Sequence, residues 1–469
     1  MKLLGPNISL MSLLTRTYTR LYLIALLFYY AFWAMTSYIT WPDSLAYLEM
    51  GRGIFEHFTF GYRGLDGSYY ANSFRVPVVP FVMGFIYFVV RDSGATYSIL
   101  TLSQVFLAPV LPCAAFYFGS QLSRATGWGA YFFTLFNANV LISTVSVLTD
   151  TYFAASAVAT FTLLWMSLHT DRSRPVLLAG LFAGLSCLVR PIMKLYFLVV
   201  ALMALAFANQ WKPLSRLFAI YALSFFIVVS PWLIRNYLHY GAPVFETNQG
   251  LNLLWTNWSL VRIKKNDPPE TRRIKAIIMC WRESPMEMVH FNGGQYWIEN
   301  DYAVSKQLES IAKEAYVEHP IAVFLNWRVN FLNMALSTES YQFMIPTVVA
   351  RPSYQCLRSA GIFTPETFDR RFRHLVWETE RLMKWGYLYI SPLGLILLLW
   401  KKRRLGIFFG VHIFYFTGLT AFVAGYDRYR LCLEVFYAVL IICPFIFAAG
   451  FIKDKITRYR RSRGAVHGT

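Results

Sequence analysis

A chain of 469 residues is long enough for about three soluble domains, but its composition excludes that arrangement: 56% of residues are hydrophobic, 18% aromatic and only 15% charged. The formal net charge of +19 would suit a polyanionic partner, yet much of the excess sits in short clusters beside apolar blocks, at Lys401–Arg404 and Lys453–Arg463. Basic clusters there anchor a membrane protein on its cytoplasmic side, so nucleic-acid binding is set aside; the six cysteines form no CxxC pair and no cluster with histidine, which argues against structural zinc.

The first element sets the pattern. From Leu21 through Pro42 there is no Asp, Glu, Lys or Arg, and Arg16 and Arg20 lie just ahead. The block is longer than a signal-peptide core and no small-x-small cleavage site follows, so it reads as a retained signal-anchor helix with its N-terminus inside. Further uncharged blocks at 96–119, 127–147, 151–168, 176–189, 195–210, 217–234, 385–400, 405–424 and 431–451 bring the expected spans to ten.

One apolar run, Val76–Val90, is short and carries Pro77 and Pro80. Counting it as a span would turn the basic loops at Arg172 and Arg174, and at Lys212 and Arg216, outward, against the positive-inside bias. Reading it as a re-entrant or surface-lying helix places both loops, the Lys401–Arg404 turn and the basic tail inside. The expected architecture is therefore an all-α, multi-pass protein of the cytoplasmic membrane, both termini cytoplasmic, with ten spans plus surface-lying helices. Its divisions are 1–235, a transmembrane module including a first outer loop at 41–91; 236–384, a mostly helical outer segment; and 385–469, the last spans and basic tail. Within the outer segment Val304, Leu308, Ile311 and Ala315 recur at helical spacing, which predicts an amphipathic helix. The apolar stretch Ile321–Leu336 is expected to lie on the membrane or to pack on that helix.

On this topology charged residues gather at the outer ends of the helices. Asp43 follows the first span, Asp150 lies between two spans, Arg190 ends another with Lys194 after it, and Asp427, Arg428 and Arg430 lead into the last. One carboxylate beside several cations suits transfer of a sugar from a lipid-linked phosphate. The leaving phosphate is a weak base that needs no general acid, so a single base can activate the acceptor hydroxyl while cations stabilise the departing charge. A glycosidase would use two carboxylates flanking the bond, and no GxGxxG or P-loop is present for a nucleotide donor.

The run Trp41-Pro42-Asp43-Ser44-Leu45-Ala46-Tyr47, followed by Arg75-Val76-Pro77-Val78-Val79-Pro80, resembles the first outer loop of GT-C glycosyltransferases of the protein O-mannosyltransferase and lipid A aminoarabinose transferase type. Leu148-Thr149-Asp150-Thr151, Gly184 through Pro191, Pro231-Trp232-Leu233-Ile234-Arg235-Asn236 and Arg428-Tyr429-Arg430 resemble further segments of that group, in order, over most of the chain except about 265–380. The resemblance implies the GT-C fold, a polyprenyl-phosphate-sugar donor, inversion at the anomeric carbon, and Asp43 as the catalytic base. The donor side is expected at Asp150, Arg190, Arg428, Arg75, Lys194 and Tyr47; the acceptor is a glycan, lipid or protein hydroxyl. Ser44 stands where many protein mannosyltransferases carry a second acid, and the Arg75 segment lacks their His-Pro-Pro or Lys-Pro-Pro pattern, so sugar and acceptor are not carried over.

Other readings stand beside these. Asp150 is either a helix cap or a donor, acceptor or metal ligand, and Asp43 with Asp150 could share a divalent cation. Arg190 holds either the donor phosphate or a structural ion pair or lipid headgroup. Arg430 and Glu434, four apart, can pair along one helix, and Arg235 is expected as an interfacial anchor. His57, His239, His290 and His319 show no ligand spacing. Cys280 and Cys356 could form a disulfide, and Trp255, Trp258 and Trp281 could stack on a sugar. A transporter, flippase or polymerase of lipid-linked saccharides is the alternative; a transporter would need ionisable groups at mid-membrane, which the uncharged blocks lack.

Overall fold

The computed structural model describes residues 10–466 apart from 37, 65, 169–172, 208–210, 281–299, 337–347, 350–377, 379–382 and 423–426. Helix α1, Leu10–Met35, buries Leu21, Ala25, Tyr29 and Phe32 at helical spacing and leaves Leu23, Ile24, Leu27 and Tyr30 exposed. An exposed face that apolar is what a lipid-facing helix presents. Among the described residues four helices are long and apolar enough to cross a membrane, Ser93–Ser120, Ser215–Tyr240, Met383–Lys401 and Arg428–Thr457; Val78–Val90, Ser173–Val189 and Pro191–Met203 are apolar but shorter.

The first outer loop folds as helix α2 (Pro42–His57), a hairpin of β2 (Gly61–Arg63) and β3 (Tyr69–Ala71), and helix α3 (Val78–Val90). Helices α2 and α3 meet backbone to backbone: a Cβ on Gly51 would lie 2.5 Å from the Pro80 carbonyl, and one on Gly84 2.3 Å from that of Gly51. Val79 and Met83 are buried, while Phe81, Phe85 and Phe88 gather round Phe55 of α2 at 5.2–5.9 Å and stay partly exposed, as does Val89.

The block 127–147, expected as one span, is two helices, α6 (Arg124–Leu135) and α7 (Ala138–Val145). The break falls at Asn137, whose side-chain oxygen caps α7 by accepting from the Asn139 and Val140 amides at 2.9 and 3.3 Å. Its amide donates to Glu434 at 2.9 Å and Tyr387 at 3.0 Å. A polar side chain with partners on three elements ends the helix where hydropathy alone would continue it. Helix α8 (Asp150–Ser167) then begins, and α9 (Ser173–Val189) packs on α11 (Trp211–Tyr240) through Gly180 and Gly184. Between them Pro191–Leu195 forms a tight 3-10 turn leading into α10 (Tyr196–Phe207).

In the outer segment, α12 (Gln249–Leu254), α13 (Pro269–Cys280) and α14 (Asp301–Glu318) share a small core. The spacing-predicted residues Val304, Leu308, Ile311 and Ala315 are all buried, against Leu251, Leu254, Ile274 and Ile278. Buried Lys275 is held by Asp267 at 3.0 Å and Glu314 at 2.9 Å. Helix α15 (Pro320–Leu336) follows directly on α14 and docks on the end of the Arg403–Thr420 helix and on the Asp427–Leu433 turn. Trp327 donates to the Gly418 carbonyl and Asn330 to that of Ala421, each at 2.9 Å, and Arg430 donates to the Met334 carbonyl. Polar side chains at one face of this apolar helix cap the free carbonyls of its neighbour. The Cys280–Cys356 pairing rests on Cys356, which, like Trp281 and His290, lies outside the described residues.

Candidate active site

Local backbone pairing brings the two sequence-distant acids together. After α7 the chain is extended at Ser146, which bridges Ile39 in parallel, and then bends through Val147–Thr149 into α8, with Val147 N–H donating to the Ile39 carbonyl at 2.8 Å. Ser44, fully buried, accepts from the Trp41 amide at 2.8 Å and donates to the Val147 carbonyl at 2.7 Å. The residue that replaces a second acid thus clamps the start of α2 to the approach of α8. Asp43 and Asp150 each sit in the first turn of a helix, where the amide dipoles favour negative charge.

Each carboxylate carries an arginine. Arg75 Nη2 lies 2.6 Å from Asp43 Oδ1, and Arg428 Nη2 3.9 Å from Oδ2. Arg190 Nη2 donates to Asp150 Oδ1 at 2.6 Å and its Nε to Thr149 Oγ1 at 2.8 Å. Asp150 is only 3% exposed, and its second oxygen has no hydrogen-bond partner among the described residues. The cations rest on rings: Arg75 over Tyr47 and Phe74, Arg190 over Phe153 and Tyr429, Arg428 over Trp41 and Tyr429. Burial by itself would push the Asp43 carboxyl up. The guanidiniums of Arg75, Arg428 and Arg190 together outweigh it and hold Asp43 below its ordinary value.

Lys194 is turned to a neighbouring loop, donating to Gln249 Oε1 at 2.6 Å. In that loop lies an acid that the sequence reading passed over. Glu246 is half-buried, feels Lys194 and Arg75 electrostatically, and is pushed above its usual range by burial, which those two cations offset only in part. It had a signal: it is the only Asp, Glu, Lys or Arg between Arg235 and Arg262. Thr149, the second partner of Arg190, had none beyond preceding Asp150.

Other expected residues lie elsewhere. Arg235 braces the first outer loop, donating to Ser73 Oγ at 2.6 Å and the Phe60 carbonyl at 3.0 Å. Arg430 and Glu434 pair at 2.9 Å, as their spacing suggested, inside the buried Asn137–Tyr387 network. No group of three or more His, Cys, Asp or Glu side chains suited to a metal gathers among the described residues. Asp150 offers one free oxygen and Asp43 is engaged by arginines. A divalent cation such as Mg²⁺ or Ca²⁺, which takes six or more oxygens, would have to displace those guanidiniums to be shared by both acids.

No family model and no curated protein matches the sequence. Solved structures do. The oligosaccharyltransferase AglB of Archaeoglobus fulgidus, in complex with an inhibitory peptide and a dolichol-phosphate, aligns over 96% of this chain and 52% of its own at 12% identity and a TM-score of 0.50. ArnT of Cupriavidus metallidurans, bound to undecaprenyl phosphate, aligns over 88% of this chain and 78% of its own, at 12% identity and a TM-score of 0.40. Arabinosyltransferase EmbB of Mycobacterium smegmatis aligns over 82% and 42%, at 14% identity and a TM-score of 0.35. The chain spans about half the length of the oligosaccharyltransferase. All three are GT-C glycosyltransferases, and the near-complete overlap with AglB shows that this membrane protein has the GT-C fold.

Proposed function

We propose that the protein transfers a sugar from a polyprenyl-phosphate-linked donor to an acceptor hydroxyl at the outer face of the cytoplasmic membrane, with inversion at the anomeric carbon. The observation that carries this reading is Asp43 set between Arg75 and Arg428, with the Asp150–Arg190 pair in electrostatic reach. AglB and ArnT were each captured with a polyprenyl-type phosphate, and their likeness extends the reading to the donor class.

Charge arithmetic supports it. Three carboxylates, Asp43, Asp150 and Glu246, face four cations, Arg75, Arg190, Lys194 and Arg428. One positive charge remains, and a phosphodiester donor brings one negative charge. Arg428 and Arg190 take the phosphate, which relieves Asp43 of part of its cationic clamp and raises its basicity. Asp43 then accepts the acceptor hydroxyl's proton as that oxygen bonds to the anomeric carbon from the face opposite the phosphate. The anomeric carbon–oxygen bond breaks and its electron pair leaves on the phosphate. One negative charge has moved from Asp43 to the phosphate, so the centre's total charge is unchanged, which keeps reorganisation small. Asp150 and Thr149 position Arg190.

Purified protein incubated with a panel of polyprenyl-phosphate sugars and hydroxyl acceptors tests the reading through release of carrier phosphate. Release with at least one neutral or modified sugar is expected; none across the panel, from protein that binds the carrier lipid, would remove the transferase assignment.

A further inference from the structure

The loop joining α11 to α12 is held rigid around a side chain that does nothing for the fold. Trp232 Nε1 donates to the Phe245 carbonyl at 2.7 Å on one side of Glu246. On the other side Thr247 donates its amide to the Ser73 carbonyl at 2.8 Å and its hydroxyl to Asp301 Oδ2 at 2.6 Å. The same Asp301 oxygen accepts from the Ser73 amide and the Tyr240 hydroxyl, at 2.9 and 2.8 Å. Loop, first outer segment and α11 are thereby locked together two residues from Arg75.

Glu246 itself makes no hydrogen bond and no ion pair among the described residues. Lys194 donates to Gln249, and Arg75 to Asp43. Two residues on, Asn248 is 4% exposed and its side-chain oxygen is buried without a partner among the described residues. Polar groups removed from water without partners destabilise a fold, and a native chain keeps them where a ligand completes them. Burial pushes the Glu246 carboxyl up against the pull of two cations, so its ionised form is disfavoured by folding.

Resting on the transferase reading, the geometry points to Glu246 and Asn248 as the subsite for hydroxyl groups of the transferred sugar. With the phosphate on Arg190 and Arg428 and the anomeric carbon at Asp43, the ring extends toward Arg75, the cation whose charge both Asp43 and Glu246 feel. A carboxylate and an amide oxygen accept from sugar hydroxyls. The carboxylate also repels an acidic ring, so the subsite selects neutral sugars over uronic acids.

Binding without acceptor isolates this role. For full-length protein in nanodiscs, affinities are measured for undecaprenyl phosphate, undecaprenyl phosphate–glucose and undecaprenyl phosphate–glucuronic acid. Glu246→Gln should bind undecaprenyl phosphate as well as or better than wild type, and bind the glucose lipid roughly tenfold to a hundredfold more weakly, as loss of a hydrogen bond to a charged group does. Its preference for glucose over glucuronic acid should narrow. Asn248→Ala should weaken the glucose lipid alone. Its sign under heating serves as the fold control: removing a desolvated charge should leave the unfolding temperature of Glu246→Gln equal or higher at neutral pH. Equal weakening of all three lipids, or unchanged binding of the glucose lipid, would overturn the subsite. Wild-type protein that binds none of them would instead overturn the transferase reading itself.

Discussion

Asp43 is a weak base as the chain holds it, and the reason is the guanidiniums round it, Arg75 first and then Arg428 and Arg190, the last two being those proposed to take the phosphate. A carboxyl held below its ordinary value stabilises the fold above the unfolded-state value, about 4, and loses that contribution only as pH falls through the lower folded value. Acid unfolding followed by tryptophan fluorescence should therefore show the Asp43-dependent loss below about pH 4, and Asp43→Asn should flatten that limb. Arg190→Lys keeps a charge but cannot serve both Thr149 and Asp150. Turnover should fall roughly a hundredfold to a thousandfold, the range for losing a preorganised donor, and an assay that finds wild-type turnover would remove Arg190 from the phosphate site. Chelation with EDTA should leave turnover unchanged, because arginines hold both oxygens of Asp43 and one of Asp150, so a metal shared by the two acids would have to displace them. The sequence exposed Asp43, Asp150, Arg190, Arg75 and Arg428 because charges at the ends of apolar blocks stand out. It hid Glu246, whose partners are 52 and more residues away in the chain, where no periodicity reaches.

At the scale of elements, the site depends on a short connection between helices as well as on the helices that dominate the chain. Ser146 and Val147 pair with Ile39, Ser44 pins the Val147 carbonyl and Gln104 the Leu148 carbonyl, and these bonds tie the start of α2 to the start of α8. Ser44→Ala leaves the Trp41 amide without its acceptor and the Val147 carbonyl without its donor. It should lower stability by about 1–3 kcal/mol and reduce turnover, read by thermal unfolding and release assays on the same sample; unchanged values in both would show the clamp to be idle. Hydropathy located the helices around this pairing but could not find the Asn137 break, because one amide inside an apolar block changes the average little while its partners on distant helices decide the geometry. For α15 the apolar pattern was legible and its docking was not, since Trp327 and Asn330 reach carbonyls 91 residues away.

For the whole molecule, one orientation of the bilayer makes the site coherent: the first outer loop, Asp150 and the Asp427–Leu433 turn all at one face. On that orientation helix α3 would lie in the surface, packed on α2, with the exposed edges of Phe81, Phe85 and Phe88 round Phe55, and Val89, open to lipid. Cysteines introduced at exposed Asp66 and Arg403 should label from opposite sides of sealed vesicles, Asp66 from outside; labelling from the same side would break the topology. The likeness to AglB reaches nearly the whole chain while leaving sugar and acceptor open, as folds do when function resides in the groups mounted on them. The central claim is that Asp43 takes the acceptor's proton as the sugar leaves its phosphate. It is tested most directly by single-turnover release of carrier phosphate from wild type and Asp43→Asn loaded equally with a polyprenyl-phosphate sugar. The account expects donor binding to survive and release to fall by at least about a hundredfold, the contribution of a general base; release at the wild-type rate by folded, donor-loaded Asp43→Asn would contradict it.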